Sequence, residues 1–325
     1  MIITSTPLRM SFVGGGTDFE NFYRQYPGRV LSTGINKFFY IMVNSRFDGM
    51  IKLSYTQTEI VENRSQIQHP LIKAALEETN IEKGVDIVSL ADLPAQRTGL
   101  GLGASSSFTV GLLNALYAFS GKHVSAEILA EQACKIEIMK AGSPIGKQDQ
   151  YAAAFGGINQ ITFNCDGKIN VEPIYLSPQI KESFQKHLLL FFTGKERSAN
   201  PILSEQKENI NRKLEFLKKL SDLVPIFRAS LEKGEFQKLG ELLHQNWLLK
   251  KELASGVSNP QIEQMYHLAM EAGAWGGKIL GAGGGGFLLV MAPLAIQPKI
   301  IEALKEYQLI PFRFSESGST IIFKN

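Results

Sequence analysis

The sequence predicts a protein of mixed helices and strands arranged in two lobes. In the first half, short β-like runs at residues 38–44, 85–90 and 158–163 are interleaved with helical stretches. Beyond Lys186 the texture changes: a short apolar strand at 188–192 precedes long, charged, amphipathic stretches at 200–251 and 260–272. A chain of 325 residues with 44% hydrophobic content can also bury a sizeable core and divide.

Taken in order, the first well-marked helix spans 106–119, where the apolar residues form a stripe. The next covers 126–139, with Ser125 as N-cap and Glu127 in the first turn, and ends near Gly142 and Pro144. A glycine-rich turn at 281–286 leads into a strand at 287–291, a helix around Ile300 and short closing strands. There is no internal repeat and no low-complexity tail.

The net charge of +3 is small and the basic residues are scattered, which argues against nucleic acid as a partner while suiting an anionic small substrate. No run approaches a membrane span, and the start has neither a basic leader nor a long apolar region, so a membrane partner is not expected and the cytosol is. Cys134 and Cys165, without nearby histidines, suggest neither a disulfide framework nor a zinc site; both are expected reduced and buried.

The most informative segment is Gly99-Leu-Gly-Leu-Gly-Ala-Ser-Ser-Ser107, set between a strand-like and a helix-like stretch. Glycines let backbone N–H groups approach phosphate oxygens, and the following helix directs its positive end at the same anion. Three hydroxyls then stand within reach of a phosphate-bound cation. Two competing cradles fail. Gly99, Gly101 and Ala104 satisfy a dinucleotide fingerprint, but no carboxylate follows about 20 residues on. Residues 142–148 miss P-loop spacing by one residue and end in Gln148.

Three motifs occur in a particular order: Pro7-Leu-Arg-Met-Ser-Phe-Val-Gly-Gly-Gly-Thr-Asp18, residues 94–107, and Lys278-Ile-Leu-Gly-Ala-Gly-Gly-Gly-Gly-Phe287. Together they resemble the GHMP kinase superfamily, nearly end to end. Its middle motif is usually P-x-x-x-G-L-G-S-S-A-A; here Ala104 replaces the first serine and Pro94 lies further upstream. Residues 9–18, 146–157 and 192–198 are similar to the sugar-1-kinase branch typified by D-glycero-D-manno-heptose 7-phosphate kinase. The resemblance implies an α+β, two-lobed fold. A ribosomal S5-like N-terminal domain would span 1–184, carrying the ATP-binding loop and catalytic aspartate, and a ferredoxin-like C-terminal domain 185–325.

It also implies an ATP- and Mg²⁺-dependent kinase of small-molecule alcohols, and assigns residues to it. Asp149 matches the general base, and Arg9 or Lys147 would supply the neighbouring cation. Gly99, Gly101, Leu102, Gly103, Ala104, Ser105, Ser106 and Ser107 would hold ATP, with Gly283 and Gly284 closing the pocket. Ser105 and Glu137 would ligate Mg²⁺, a hard ion that prefers oxygen. Gly15, Gly16, Thr17 and Asp18 would contact the sugar, and Arg197 its phosphate, for which Lys195, Lys147 and Arg24 also qualify. The competing structural readings are a turn or cap aspartate at 149, a helix cap at Asp18, a surface ion pair at Glu137 and a plain turn at 283–286.

The reaction implied is phosphorylation of the anomeric hydroxyl of a heptose 7-phosphate to the 1,7-bisphosphate. Another kinase of the superfamily, acting on galactose, fucose or a mevalonate-type alcohol, and a non-catalytic ligand-sensing regulator on the same fold stand as alternatives.

Overall fold

The computed structural model describes residues 1–93, 100–195 and 198–325. The strands are β1 (Ile2–Gly14), β2 (Gly28–Ser45), β3 (Ile51–Ser54), β4 (Thr58–Val61), β5 (Val85–Ala91), β6 (Ile158–Phe163), β7 (Ile169–Pro173), β8 (Leu188–Phe192), β9 (Gly276–Ile279), β10 (Phe287–Met291), β11 (Gln308–Leu309), β12 (Phe314–Ser315) and β13 (Thr320–Lys324). The helices are α1 (Glu20–Tyr23), α2 (Pro70–Glu78), α3 (Ala104–Phe119), α4 (Ala126–Cys134), α5 (Gln148–Phe155), α6 (Pro178–Lys186), α7 (Asn200–Glu208), α8 (Leu214–Lys233), α9 (Phe236–Lys251), α10 (Pro260–Glu271) and α11 (Gln297–Ala303).

Among the described residues, nine strands form one sheet and four the other. The first is organised by β2, which is long enough to take different partners along one edge: Gly28–Thr33 pairs with β6, Gly34 and Ile35 with β12, and Phe39–Ser45 with β5. Its other edge pairs throughout with β1. The second sheet runs β11-β8-β10-β9, all antiparallel. Residue 184 lies in α6, and β12 and β13 from beyond it pair with β2 and β1, so the first sheet draws strands from both ends of the chain.

Helix α3 is apolar on nearly every side and is buried accordingly. It lies against β1 at Gly111, where an added Cβ would stand 2.6 Å from Thr6 Oγ1, and Thr4 Oγ1 donates to the Gly111 carbonyl at 2.9 Å. That close approach sets where the helix begins relative to β1. A second fixture joins the lobes: Phe12 of β1 stacks on Phe227 of α8 at 5.8 Å and packs on Phe184 of α6 at 5.0 Å.

The helix expected over 126–139 is α4 followed by a π-helical segment, Lys135–Lys140. The wider turn, seen in the Ala141 N–H bond to the Ile136 carbonyl at 2.9 Å, rotates the side chains after Cys134 relative to a continued α-helix. Cys134 is buried as expected, whereas Cys165 is exposed in the turn after β6; both are free. Among the described residues no helix is long and apolar enough to cross a membrane.

Candidate active site

A cavity of about 880 Å³ opens between β1, the start of α3, the start of α5 and the second lobe. At its centre, Arg9 of β1 meets Asp149 in the first turn of α5. Nε donates to Oδ1 and Nη2 to Oδ2, each at 2.7 Å. The third nitrogen, Nη1, donates to the Gly101 carbonyl at 2.6 Å, and the Arg9 N–H bonds the Leu102 carbonyl at 3.0 Å. A nearly buried guanidinium therefore ties the carboxylate to the glycine loop, whereas Asp149 remains 26% exposed toward the cavity. Asp149 is not a capping aspartate: the cap position is Lys147, and no side chain caps α5 there.

The loop can cradle an anion because its glycines take backbone forms closed to other residues. Gly101 and Gly103 have φ of 80° and 70°, and Gly103 forms the N-cap of α3. A helix start leaves the N–H groups of Ala104, Ser105 and Ser106 without intrahelical acceptors, and these groups make the positive end of the helix dipole. Ser107 departs from its expected role. Its N–H closes the first helical turn on Gly103 at 2.9 Å, and its hydroxyl donates to the Pro7 carbonyl at 2.8 Å. Two hydroxyls, not three, remain on the cavity side.

Both of those hydroxyls converge on Glu137. Ser105 Oγ donates to Oε1 at 2.5 Å and Ser106 Oγ to Oε2 at 2.7 Å, while Gln150 Nε2 donates to Oε2 at 2.6 Å. The π-helical turn carries Glu137 to this position, wholly buried, so it is no surface ion pair. Burial pushes its carboxyl up to about 7 against the three donors that favour the anion, with the Asp149 charge adding to the rise. Gln150 Oε1 beside it is buried without a partner among the described residues. A buried carboxylate, two hydroxyls and an orphaned amide oxygen form an all-oxygen donor set, which suits a hard divalent cation such as Mg²⁺ better than a transition metal.

Gly15, Gly16 and Asp18 line the cavity. Asp18 is buried and does not cap α1; its Oδ2 accepts the Gln148 N–H at 3.1 Å and its Oδ1 the Gln148 amide at 2.9 Å. Burial is the main reason its carboxyl sits above the usual range, and the Gln148 N–H works against it. Thr17 faces away, because its hydroxyl is shared between the Arg29 carbonyl and N–H at 2.8 and 3.1 Å.

The basic residues named from the sequence are dispersed. Lys147 turns its amine onto the Tyr23 hydroxyl at 2.9 Å rather than toward Asp149. Arg24 pairs with Glu20 at the surface, and Lys195 is not among the cavity's lining residues. Arg197 and Gly99 lie outside the described residues. Gly283 and Gly284 pack on Val257: an added Cβ on Gly283 would meet its carbonyl at 2.4 Å, and the Gly284 N–H donates to it at 2.7 Å. The contact with the central loop is made two residues earlier, where a Cβ on Gly281 would stand 2.4 Å from Gly101 Cα.

Sequence reasoning missed Lys250 and Lys278, both buried in the cavity wall. Lys278 donates to the Phe12 carbonyl and Lys250 to the Ile279 carbonyl, at 2.9 and 2.8 Å. Lys278 begins the third motif, a signal that was available. Phe39, Leu71, Leu90 and Phe108 add apolar side chains to the cavity lining, with the Phe39 and Phe108 rings 6.1 Å apart.

An N–H cradle for anionic oxygen and an aspartate able to take an alcohol's proton, open to one interlobe cavity, are the working parts of a small-molecule kinase. Residues 66–157 match the GHMP kinases N terminal domain and residues 227–322 the GHMP kinases C terminal domain. The chain belongs to the GHMP kinases, and is with them an ATP-dependent phosphotransferase acting on an alcohol group. It is 29% identical to D-glycero-alpha-D-manno-heptose 7-phosphate kinase of Campylobacter jejuni, over 98% of this chain and 97% of the relative. It is 30% identical to mevalonate kinase of Pyrococcus horikoshii, over 77% of this chain and 72% of that one. In fold it superposes on a D-glycero-D-manno-heptose 1-phosphate kinase from Bacteroides thetaiotaomicron with a TM-score of 0.84, covering all of both chains at 24% identity. The two-lobed α+β fold implied by the motifs is the fold observed.

Proposed function

We propose that the chain transfers the γ-phosphoryl group of ATP to the anomeric hydroxyl of D-glycero-D-manno-heptose 7-phosphate, giving the 1,7-bisphosphate and ADP. The observation that carries the chemistry is the doubly bonded Arg9–Asp149 pair, its carboxylate open to the cavity beside the Gly101–Gly103 loop. The Campylobacter jejuni relative supports the choice of sugar.

In this reading the apolar lining residues Phe39, Leu71, Leu90 and Phe108 take the purine base, as apolar ligand pockets do. The N–H groups at the start of α3 hold the phosphate oxygens. Asp149 accepts the proton of the attacking hydroxyl, using lone pairs that Arg9 leaves free, and Arg9 holds the carboxylate's orientation. The hydroxyl oxygen then forms its bond to the γ-phosphorus as the bond to the ADP oxygen breaks. Ser105 and Glu137 would hold Mg²⁺, which when bound neutralises charge on the phosphate oxygens. Gly15, Gly16 and Asp18 border the sugar end.

The test is ATP turnover with Mg²⁺ against a panel of sugars, sugar phosphates and mevalonate, following the new phosphoryl group by phosphorus NMR. Selective turnover of the heptose 7-phosphate with an anomeric phosphate signal is the expected result. Preference for a free sugar or for mevalonate would overturn the substrate.

A further inference from the structure

We propose that Gln206 is a sugar-specificity residue, its buried side-chain amide nitrogen left without a partner among the described residues so that it can bond a hydroxyl of the bound sugar. The inference deepens the sugar-kinase reading and rests on it.

Asn200, Leu203 and Gln206 recur at every third position of α7, and all three line the cavity, so one face of this helix forms the second-lobe wall. Gln206 is the innermost of them, only 7% exposed. Its Oε1 reaches across to the glycine loop of the first lobe, 3.9 Å from where a Cβ on Gly16 would stand. The amide nitrogen, with two protons to donate, is buried and has no partner among the described residues.

Such a group is unfavourable unless something satisfies it, since the amide has lost water and gained nothing in exchange. The immediate surroundings do not require it. Leu217 and Leu253 approach the same point beside Gly16, at 3.4 and 3.2 Å, so a leucine or methionine in place of Gln206 would find apolar company. A polar side chain buried at a cavity wall, beside the loop read as the sugar site, is accounted for when the ligand supplies the missing partner. A site built to bond a hydroxyl also rejects analogues that lack it, because the protein group is then left unpaired.

The experiment compares wild type with Gln206→Leu and Gln206→Met, using D-glycero-D-manno-heptose 7-phosphate and its monodeoxy analogues at saturating ATP and Mg²⁺. We expect the KM for the sugar phosphate to rise by about 10- to 100-fold, the strength of one such bond. The KM for ATP should be unchanged and thermal stability without sugar equal or higher. One deoxy analogue should lose KM with wild type yet show no further loss with the variants, as two changes to one contact do. A sugar KM within twofold of wild type, an equal loss for every analogue, or failure of both variants to fold would overturn the role of Gln206. Wild type that turns over free sugars but no heptose phosphate overturns only the named substrate, and the same comparison is then made with the preferred sugar; wild type inactive on all sugars overturns both readings.

Discussion

Arg9 and Asp149 lie 140 positions apart in sequence and meet through two parallel 2.7 Å hydrogen bonds, while the remaining Arg9 nitrogen grips the Gly101 carbonyl. One side chain thus registers the acid of α5 against the Gly101–Gly103 loop. If Asp149 is the general base, Asp149→Asn keeps the shape and removes the proton acceptor, so kcat should fall by about 10²- to 10⁴-fold with the KM for ATP little changed. Arg9→Lys retains charge but not the planar fork, and should also lower kcat. Lys147→Met should cost less than either, because its amine is committed to Tyr23. Steady-state rates for the four proteins decide this; a larger loss for Lys147→Met than for Arg9→Lys would return Lys147 to the site.

Gly101 combines a φ of 80° with a closed space: a Cβ there would stand 2.5 Å from the Leu280 carbonyl. Gly121 has a similar φ of 74° with open space around it. Gly101→Ala should therefore lower stability by about 1–3 kcal/mol and raise the KM for ATP, since relief of the clash must move the loop. Gly121→Ala carries only the backbone strain and should leave ATP binding alone. Equal melting temperatures for the two variants would mean that the loop absorbs the side chain freely.

The residues legible in the sequence were those whose chemistry is carried by the backbone path of a motif. The loop around Gly101, the aspartate opening α5 and Glu137 near the end of its helix were each singled out by their strings, and all three line the same cavity. What could not be read was side-chain direction, which depends on partners far along the chain. Lys147 finds Tyr23 124 positions away, and Ser107 finds the Pro7 carbonyl 100 positions away. Thr17 is spent on Arg29, and the third glycine motif touches the central loop through Gly281 rather than Gly283 or Gly284. Gln206 was hidden differently: an amphipathic helix announces that one face is buried, not that the face meets a cavity. The same limit applies to β2, whose three successive partners on one edge follow from packing that no local pattern encodes.

Glu137 accepts from the Ser105 and Ser106 hydroxyls and from the Gln150 amide nitrogen. If Mg²⁺ binds there with ATP, Glu137→Gln should raise the Mg²⁺ concentration for half-maximal rate by about tenfold or more, in the range seen when metal-site partners are changed. Chelation should abolish wild-type turnover, and excess Mg²⁺ should restore it. An unaltered Mg²⁺ dependence in the variant would remove Glu137 from the metal site.

Lys278 places its amine in the cavity wall, 1% exposed, with a 2.9 Å bond to the Phe12 carbonyl. Burial, with the Arg9 charge adding to it, pulls this amine from 10.5 down to about 7. Between those two values the unfolded chain holds a proton that the folded protein has released, so stability rises with pH across that window. The contribution is complete above 10.5 and lost as pH falls through 7. Urea unfolding of wild type and Lys278→Met at several pH values from 6.5 to 9.5 (about one unit apart) isolates this from the other titrating groups. Wild type should gain on the variant steadily as pH rises. A constant difference would mean that the lysine stays charged inside the fold, and its bond to Phe12 would then be that of an ammonium throughout.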